Sequence, residues 1–291
     1  MTSPIGPIKT INSFLRLRPQ ELLHHYTTSA GLIGILESRA IWATSIHHLN
    51  DAEEYIHATK LLRAELEKRL ESETGPKKAT LAEWLDELIS EEKEQAFVIS
   101  FSERADDLGQ WRAYANCDNA YAIAFDQKEV LGMLTDSDFA LVKCVYSLEE
   151  QKQLLIHLVD YLYKYSLRQM TLTGDRSWGW LGRTNKVVTS VLAAIKHPSF
   201  KEEREWRVVV LLNSGRQLFF RTGRFGIVPF YKIPLSTDSQ NRLSFSQITI
   251  GPTRDRKAAE FAVNELIRCY GIPWKTPLET LVRHTETSLR S

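Results

Sequence analysis

The chain of 291 residues is 43% hydrophobic and 25% charged, which is the composition of an ordinary globular protein with a well-buried core. Its formal net charge of +1 provides no global field that would attract a nucleic-acid backbone or an anionic membrane, so such a partner would have to be recognised locally. Three cysteines without a CxxC pair indicate neither a disulfide framework nor a zinc site, and no apolar run reaches the roughly 20 residues that span a bilayer, so we expect a cytoplasmic protein that does not enter a membrane.

The first elements are predicted to be a strand, a helix and a second strand. Apolar and aromatic residues predict a strand over 22–27, and Ser29 is the predicted N-cap of a helix that ends near residue 39. A short apolar run predicts the second strand over 41–45.

Helices are predicted between residues 51 and 95. Asn50 and Asp51 are typical turn residues, and Asp51 with Glu54 has the spacing of a capping box. Leucines at helical intervals follow, and a second helix is predicted to begin at Thr80.

The remaining sequence predicts a sheet interrupted by helices. Strands are predicted over 97–102, 121–126, 139–147, 206–212, 218–221, 228–235 and 246–250. Helices are predicted over 147–170, up to residue 196, and over 254–269, the last with Thr253 as its N-cap. Because the elements lack the regular alternation of a doubly wound sheet, we predict one α+β domain over residues 1–291, with a mixed, mostly antiparallel, split or bent sheet and a helical insertion over 51–95.

Candidate chemistry is confined to three short segments, because the sequence contains none of the GxGxxG, GxxxxGK[ST], HExxH or GxSxG signatures. The segments are His25-Tyr26-Thr27 on the first predicted strand, Ser100-Phe101-Ser102 at the end of a middle strand, and Glu203-Arg204-Glu205 before a late strand.

Each segment also has a purely structural interpretation. Ser100 and Ser102 would share one face of a strand, where their hydroxyls could donate to a ribose or a carboxamide, but serines at a strand end are equally usual as turn formers. His25 is either a ligand-binding histidine or a structural or surface one.

Glu203 and Glu205 would also share a face if the following strand extended to both. Two adjacent carboxylates repel each other, which would raise the pKa of at least one and create an acid/base pair. The alternative is that the run KEERE forms a solvated charged edge.

In this order, the His-x-Thr, Ser-x-Ser and Glu-x-Glu segments resemble the signature of the ADP-ribosyltransferases. The resemblance implies an ADP-ribosyltransferase-like fold and NAD as a substrate. By position, it implies that His25 holds the NAD ribose and that Thr27 meets the nicotinamide. Ser100 and Ser102 would line the site.

The same resemblance assigns the two glutamates. Glu205 would bond the ribose 2′-OH and stabilise the oxocarbenium character that develops when the nicotinamide bond breaks. Glu203 would orient the acceptor, which is a protein, a nucleic acid or a small molecule. The chain departs from the arginine-type transferases by having His25 where they use arginine.

Aromatic and turn residues are candidates for support of the site. Tyr26, Trp111 and Tyr114 could stack on nicotinamide or adenine, although Trp111 and Tyr114 also have the three-residue spacing of a helical core face. Asn50 and Asp51 could also contribute to the site, although the capping box already explains the presence of Asp51.

Most of the chain also resembles a bacterial family described only as a domain of unknown function. The motifs that carry this resemblance are HYTxxxGLxGIL, LNDxxE, SFS, WxxYA and ExEWR. It supplies no activity of its own. Together the two resemblances imply a bacterial effector of the defence or toxin type.

Two other classes of function remain open. A metal-dependent nuclease or hydrolase would bring acidic and imidazole groups to Mg²⁺ or Mn²⁺, although no ligand spacing supports a metal site. Its ligands would come from His25, Asp51, Glu54, Glu203 and Glu205. A non-catalytic regulatory binding module would explain every motif as packing, capping and solvated charge.

Overall fold

The computed structural model describes residues 9–49, 52–87, 96–114, 120–134, 138–173, 181–212, 216–223, 226–235, 243, 245–270 and 281–287. The strands are β1 (Leu23–Thr28), β2 (Ala40–Ser45), β3 (Ala96–Ser102), β4 (Ala120–Phe125), β5 (Phe139–Lys143), β6 (Glu205–Leu211), β7 (Phe219–Gly223), β8 (Gly226–Pro234), β9 (Gln247–Ile250) and β10 (Val282–His284). The helices are α1 (Ile11–Leu15), α2 (Ser29–Ser38), α3 (Ala52–Ser72), α4 (Gly75–Glu87), α5 (Leu108–Tyr114), α6 (Gln127–Gly132), α7 (Leu148–Thr173), α8 (Leu181–Leu192) and α9 (Arg256–Cys269). Short 3-10 helices occupy Ile46–His48 and Pro198–Glu203.

Within the described residues the strands form one open sheet. Its order is β10-β9-β4-β1-β3-β2-β8-β7, with β6 along β3 and β5 along β6. The pairs are antiparallel except for β9 with β10. The predicted α+β fold, with a mostly antiparallel sheet and helical insertions, is confirmed. No helix in this part of the chain combines the length and the apolar character that crossing a membrane requires.

The sheet divides at β3. One edge of β3 pairs with β6 over the full length of the strand. The other edge is shared, because Phe97 and Val98 pair with β2 whereas Ser102 pairs with His24 of β1. β1 and β2 therefore diverge from each other beside residues 99–101. We call this gap between β1 and β2 the fork.

Helix α2 connects the two diverging strands. Its apolar residues Leu32, Ile35 and Leu36 are buried in the sheet core. A Cβ atom on Gly34 would lie 2.2 Å from the indole ring of Trp42 on β2, so this close approach of helix and strand requires a glycine. The fork is therefore closed on the side of α2.

The start of α2 differs by one residue from the prediction. Thr28 is the N-cap, because its hydroxyl accepts a hydrogen bond from the backbone N–H of Gly31 at 3.2 Å. Ser29, the predicted cap, is the first helical residue. Both residues are typical caps, so composition alone does not choose between them.

Apolar cores lie on both faces of the sheet. One face carries Phe101 and Trp206 and is covered by α2, α6 and α9. The opposite face carries Val98 and Val209 and is covered by α1, α3, α4, α7 and α8. Residues on both faces are buried because side chains alternate along each strand.

Several helix ends also differ from the predictions. α4 begins at Gly75 rather than at Thr80, since a proline such as Pro76 is tolerated in the first turn, where its missing N–H has no helical partner. The N-cap of α9 is Asp255 rather than Thr253. The helices predicted between residues 51 and 95 correspond to α3 and α4. The predicted turn at residues 50–51 lies outside the described residues.

Candidate functional site

The imidazole ring of His25 lies at the fork. Its Nδ1 atom is 2.9 Å from the carbonyl oxygen of Ser100, and its ring meets the Phe101 ring edge-on at 5.9 Å between centroids. A carbonyl can only accept, so Nδ1 carries the proton and Nε2 is an acceptor. Burial lowers the pKa of His25 to about 4, the Ser100 carbonyl opposes this shift, and the Arg221 guanidinium adds to it. The ring is therefore neutral at pH 7.

Tyr26 packs on the opposite face of β1 from His25. Its hydroxyl donates to the Arg104 carbonyl at 2.8 Å and accepts from the Asp107 N–H at 3.1 Å. Its ring meets the fully buried Trp111 ring at 4.7 Å. Both rings are used in packing, which matches the core interpretation of Trp111. The Tyr114 side chain lies outside the described residues.

The Thr27 side chain faces α2. A Cβ atom on Gly31 would lie 2.0 Å from the Thr27 hydroxyl oxygen, and Thr27 is buried. Only the backbone of Thr27 is therefore placed to meet a ligand at the fork.

The two serines of β3 share one face of the sheet but differ in their contacts. The Ser102 hydroxyl donates to the Glu203 carbonyl at 2.6 Å and accepts from the Arg104 N–H at 3.0 Å. Ser102 thus holds two neighbouring segments together. Ser100 is half-buried beside the fork, opposite Arg207 of β6.

Glu203 and Glu205 do not share a strand face. Glu203 ends a 3-10 helix, and Arg204 has a φ of 46°, so the strand begins only at Glu205. The prediction of a common strand face is therefore wrong. The two carboxylates nevertheless converge, because both accept from the ammonium of Lys196, at 2.6 Å for Glu203 and 2.7 Å for Glu205.

Glu205 is held in a buried ion pair. The Arg207 guanidinium donates from Nε and Nη2 to its two oxygens at 2.7 and 3.0 Å. Burial alone would raise the pKa of Glu205, but Arg207 and Lys196 more than offset it and hold the pKa at about 2. The predicted rise of the pKa by mutual repulsion is wrong for Glu205, because Lys196 lies between the two carboxylates and Arg207 also pairs with Glu205. The Glu205 side chain is 5% exposed and that of Glu203 is 28% exposed.

These groups belong to a row of five charges of alternating sign, which we call the charge chain. Its members in order are Glu54, Arg207, Glu205, Lys196 and Glu203. Glu54 of α3 approaches Arg207 at 3.6 Å. Burial would lower the pKa of Lys196, but Glu205 raises it above its ordinary value. The central ions are thus kept charged inside the protein by their neighbours.

Sequence reasoning did not find Lys196 or the approach of Glu54 to Arg207. Lys196 follows the apolar run 191–195, and its side chain is 2% exposed. A lysine in such a run is the one signal that the sequence offers, because lysines are almost never fully buried unless they are paired.

The predicted site residues lie on two faces of the sheet. Ser102 pairs with His24 on one side and with Glu205 on the other, so these three side chains share a face. His25 points to the other face by alternation, as its contact with Phe101 shows. The structure therefore brings Ser102, Glu203 and Glu205 together and sets the His25 ring apart from them at the fork.

The short motifs meet in pairs around the end of β3. Tyr26 of HYT packs on Trp111 of WxxYA, and Ser102 of SFS bonds to Glu203 of ExEWR. Glu54 of LNDxxE approaches Arg207 of ExEWR. Segments that are distant in sequence thus form one continuous centre.

A metal site would need a cluster of ligating side chains in the part of the chain that the structure describes. No three His, Cys, Asp or Glu side chains there are placed to hold an ion. Asn50 and Asp51 lie outside this part.

Comparison with protein-family models gives a match over part of the chain. Residues 110–208, about a third of the chain, match the model of a family described as "Protein of unknown function (DUF2971)". The matched range includes WxxYA and ExEWR, whereas HYT, LNDxxE and SFS lie before it. No curated protein and no solved structure matches the chain.

Proposed function

We propose that this chain binds NAD at the fork and transfers its ADP-ribose to an acceptor. The observation that carries the proposal is the His25 ring, which the Ser100 carbonyl holds at the fork by a 2.9 Å bond. With Nδ1 engaged in this way, Nε2 accepts a hydrogen bond from a ribose hydroxyl. A neutral ring is required for this role, and the low pKa of His25 provides it at pH 7.

The backbone of β1 supplies contacts for the nicotinamide. β1 pairs with β3 through His24 only, so the strand beyond that residue borders the fork. Backbone N–H and C=O groups near Thr27 match the acceptor and donors of the nicotinamide carboxamide. The Ser100 carbonyl borders the same gap through its bond to the His25 ring.

In this proposal the substrate extends past the end of β3, so that its nicotinamide ribose meets the carboxylate of Glu203, which lies on the other face of the sheet from the His25 ring. Ser102 ties the Glu203 backbone to the base of the fork, and Glu203 is the more exposed of the two glutamates. When the C–N glycosidic bond breaks, nicotinamide leaves with the bonding electrons, and Glu203 stabilises the positive charge that develops on the ribose. The acceptor then bonds to C1 of the ribose and loses its proton. Glu205 supports Glu203 through Lys196.

The test is nicotinamide release from NAD, measured by chromatography, together with NAD binding by calorimetry. Glu203→Gln keeps the shape of the side chain and removes its charge, so release should fall by about 10²-fold while binding changes little. Glu202→Gln is the matched control, because Glu202 is the preceding residue, is 68% exposed and pairs with Arg104. We expect the control to retain parental turnover.

Three outcomes would contradict the proposal. Absence of NAD binding by the parent would favour a non-catalytic binding module. A nuclease activity that EDTA abolishes would favour the metal-dependent alternative. Undiminished nicotinamide release by Glu203→Gln would show that Glu203 takes no part in the chemistry.

We also propose that the chain is a bacterial effector of the defence or toxin type. The test is expression in bacteria, which should arrest growth, and Glu203→Gln should relieve this arrest.

A further inference from the structure

The outer edge of β7 forms one end of the sheet order. β7 is the last strand in the sheet order and pairs with β8 along one edge, and no described strand pairs with its other edge. Pro229 lies opposite Phe220 and has no N–H, which makes this a non-hydrogen-bonded pair. The backbone N–H and C=O of Phe220, and of Thr222 two residues on, therefore point outwards.

The two faces of this edge have different chemistry. On one face, Phe220 is 65% exposed and Ile227 of β8 is 74% exposed. Thr222 pairs with Ile227, so the two apolar side chains are diagonal neighbours. On the other face, Arg221 is exposed and donates to the Thr44 hydroxyl of β2 at 3.2 Å, and the Lys232 ammonium lies 4.2 Å from the centre of the Phe219 ring. One face is thus apolar, and the other carries two cations beside Phe219.

We propose that the β7 edge binds an extended acidic segment of a partner protein as an added strand. Side chains of an added strand alternate between the faces, so its apolar residues contact Phe220 and Ile227 while its acidic residues approach Arg221 and Lys232. A second copy of this chain fits poorly, because antiparallel pairing of two β7 edges in full overlap sets Arg221 opposite Arg221. Charge complementarity therefore selects an acidic partner.

The experiment measures binding of a fluorescent peptide of alternating valine and glutamate by anisotropy. A peptide with lysine in place of glutamate is the matched probe. Arg221→Glu reverses the charge of the edge, and Thr222→Pro removes one outward N–H. Both changes should weaken binding of the acidic peptide by about tenfold or more. Arg63→Glu, at an exposed arginine of α3, is the control and should bind as the parent does.

The outcomes separate this proposal from the transferase function, because the assay contains no NAD. Selective binding of the acidic peptide that both edge variants lose supports the proposal. Thermal unfolding of each variant shows whether the fold is kept, and Phe220→Ser replaces Thr222→Pro if the proline variant unfolds. Equal binding of the two peptides, no binding, or binding that the variants retain would overturn it. A dimer in sedimentation that Thr222→Pro dissolves, or tighter binding of a single-stranded oligonucleotide, would assign the edge to another partner.

Discussion

Lys196 donates to Glu203 and Glu205 at once, so one buried ammonium joins a half-buried carboxylate to a fully buried one. The sequence places both glutamates in the same run of five residues, KEERE, and the reversal of the backbone at Arg204 lets both side chains reach the same cation. A shift of Lys196 would therefore move Glu203 as well, and the buried ions act as a fixed support for the exposed one.

The first prediction concerns the stability contributed by Glu205. Glu205→Gln leaves Arg207 and Lys196 buried with less negative charge, so we expect the free energy of unfolding to fall by about 3 kcal/mol. Glu203→Gln should lower the free energy of unfolding by about 1 kcal/mol or less, because the Glu203 side chain is more exposed than that of Glu205. Urea unfolding measures both. Equal costs would show that burial does not distinguish the two carboxylates.

The second prediction concerns pH. Burial, assisted by Arg283 for His24 and by Arg221 for His25, lowers the pKa of each histidine to about 4. Between pH 6.5 and 4 the unfolded chain therefore binds more protons, so the stabilisation is fully present above pH 6.5 and is lost as the pH falls towards 4.

Lowering the pH from 7 to 5 should reduce the free energy of unfolding by about 2 kcal/mol for each of these histidines. Urea unfolding at the two pH values measures the loss. His25→Gln should remove its share, whereas His57→Gln, at an exposed position of α3, should leave the parental pH dependence intact. If the free energy of unfolding of His25→Gln falls between pH 7 and pH 5 as much as that of the parent, the pKa of His25 is not lowered in the folded protein.

The third prediction concerns cofactor binding. His25→Ala removes the acceptor at the fork, so NAD affinity measured by calorimetry should fall about tenfold, equivalent to about 1.4 kcal/mol. His57→Ala is the control for loss of an imidazole elsewhere. Unchanged affinity in His25→Ala would move the ribose site away from the fork.

The fourth prediction concerns the contact between α2 and β2. Alanine ordinarily stabilises a helix by about 1 kcal/mol relative to glycine. The new Cβ atom of Gly34→Ala, however, would lie 2.2 Å from the Trp42 ring. We expect a net loss of about 1–3 kcal/mol. Thermal unfolding in a Trp42→Leu background is the control, since removing the ring should cancel the penalty. A stabilising effect in the parent would mean that α2 and β2 are further apart.

The strands were predictable because burial on both faces leaves continuous apolar runs that alternate between the two cores. A split or bent sheet was predicted, but the position of the fork was not, because no local pattern in β3 indicates that Phe97 and Ser102 pair with different strands on one edge. Short elements such as α1 and β10 were not predicted, since a few residues carry too little periodicity to identify them.

The candidate site was predictable in its segments but not in its partners. The three segments were identified from the sequence, but the two cations that neutralise Glu205 were not. Lys196 lies in another segment of the chain. Arg207 lies two residues after Glu205, on a strand whose neighbours the sequence does not reveal. The φ of 46° at Arg204 is rare for a residue with a side chain, so the prediction of a common face for Glu203 and Glu205 followed the commoner geometry.

The division of β3 between three strands also sets an order of events during synthesis. β3 pairs along its full length only with β6, which begins about 100 residues later in the chain. At a synthesis rate of about 5–20 residues per second, β3 is made roughly 5–20 seconds before its main partner exists. A nascent chain that ends before Glu205 has neither a completed central strand nor the charge chain. The pairing of β3 with β6 and the charge chain are therefore completed only after more than two thirds of the chain has been synthesised.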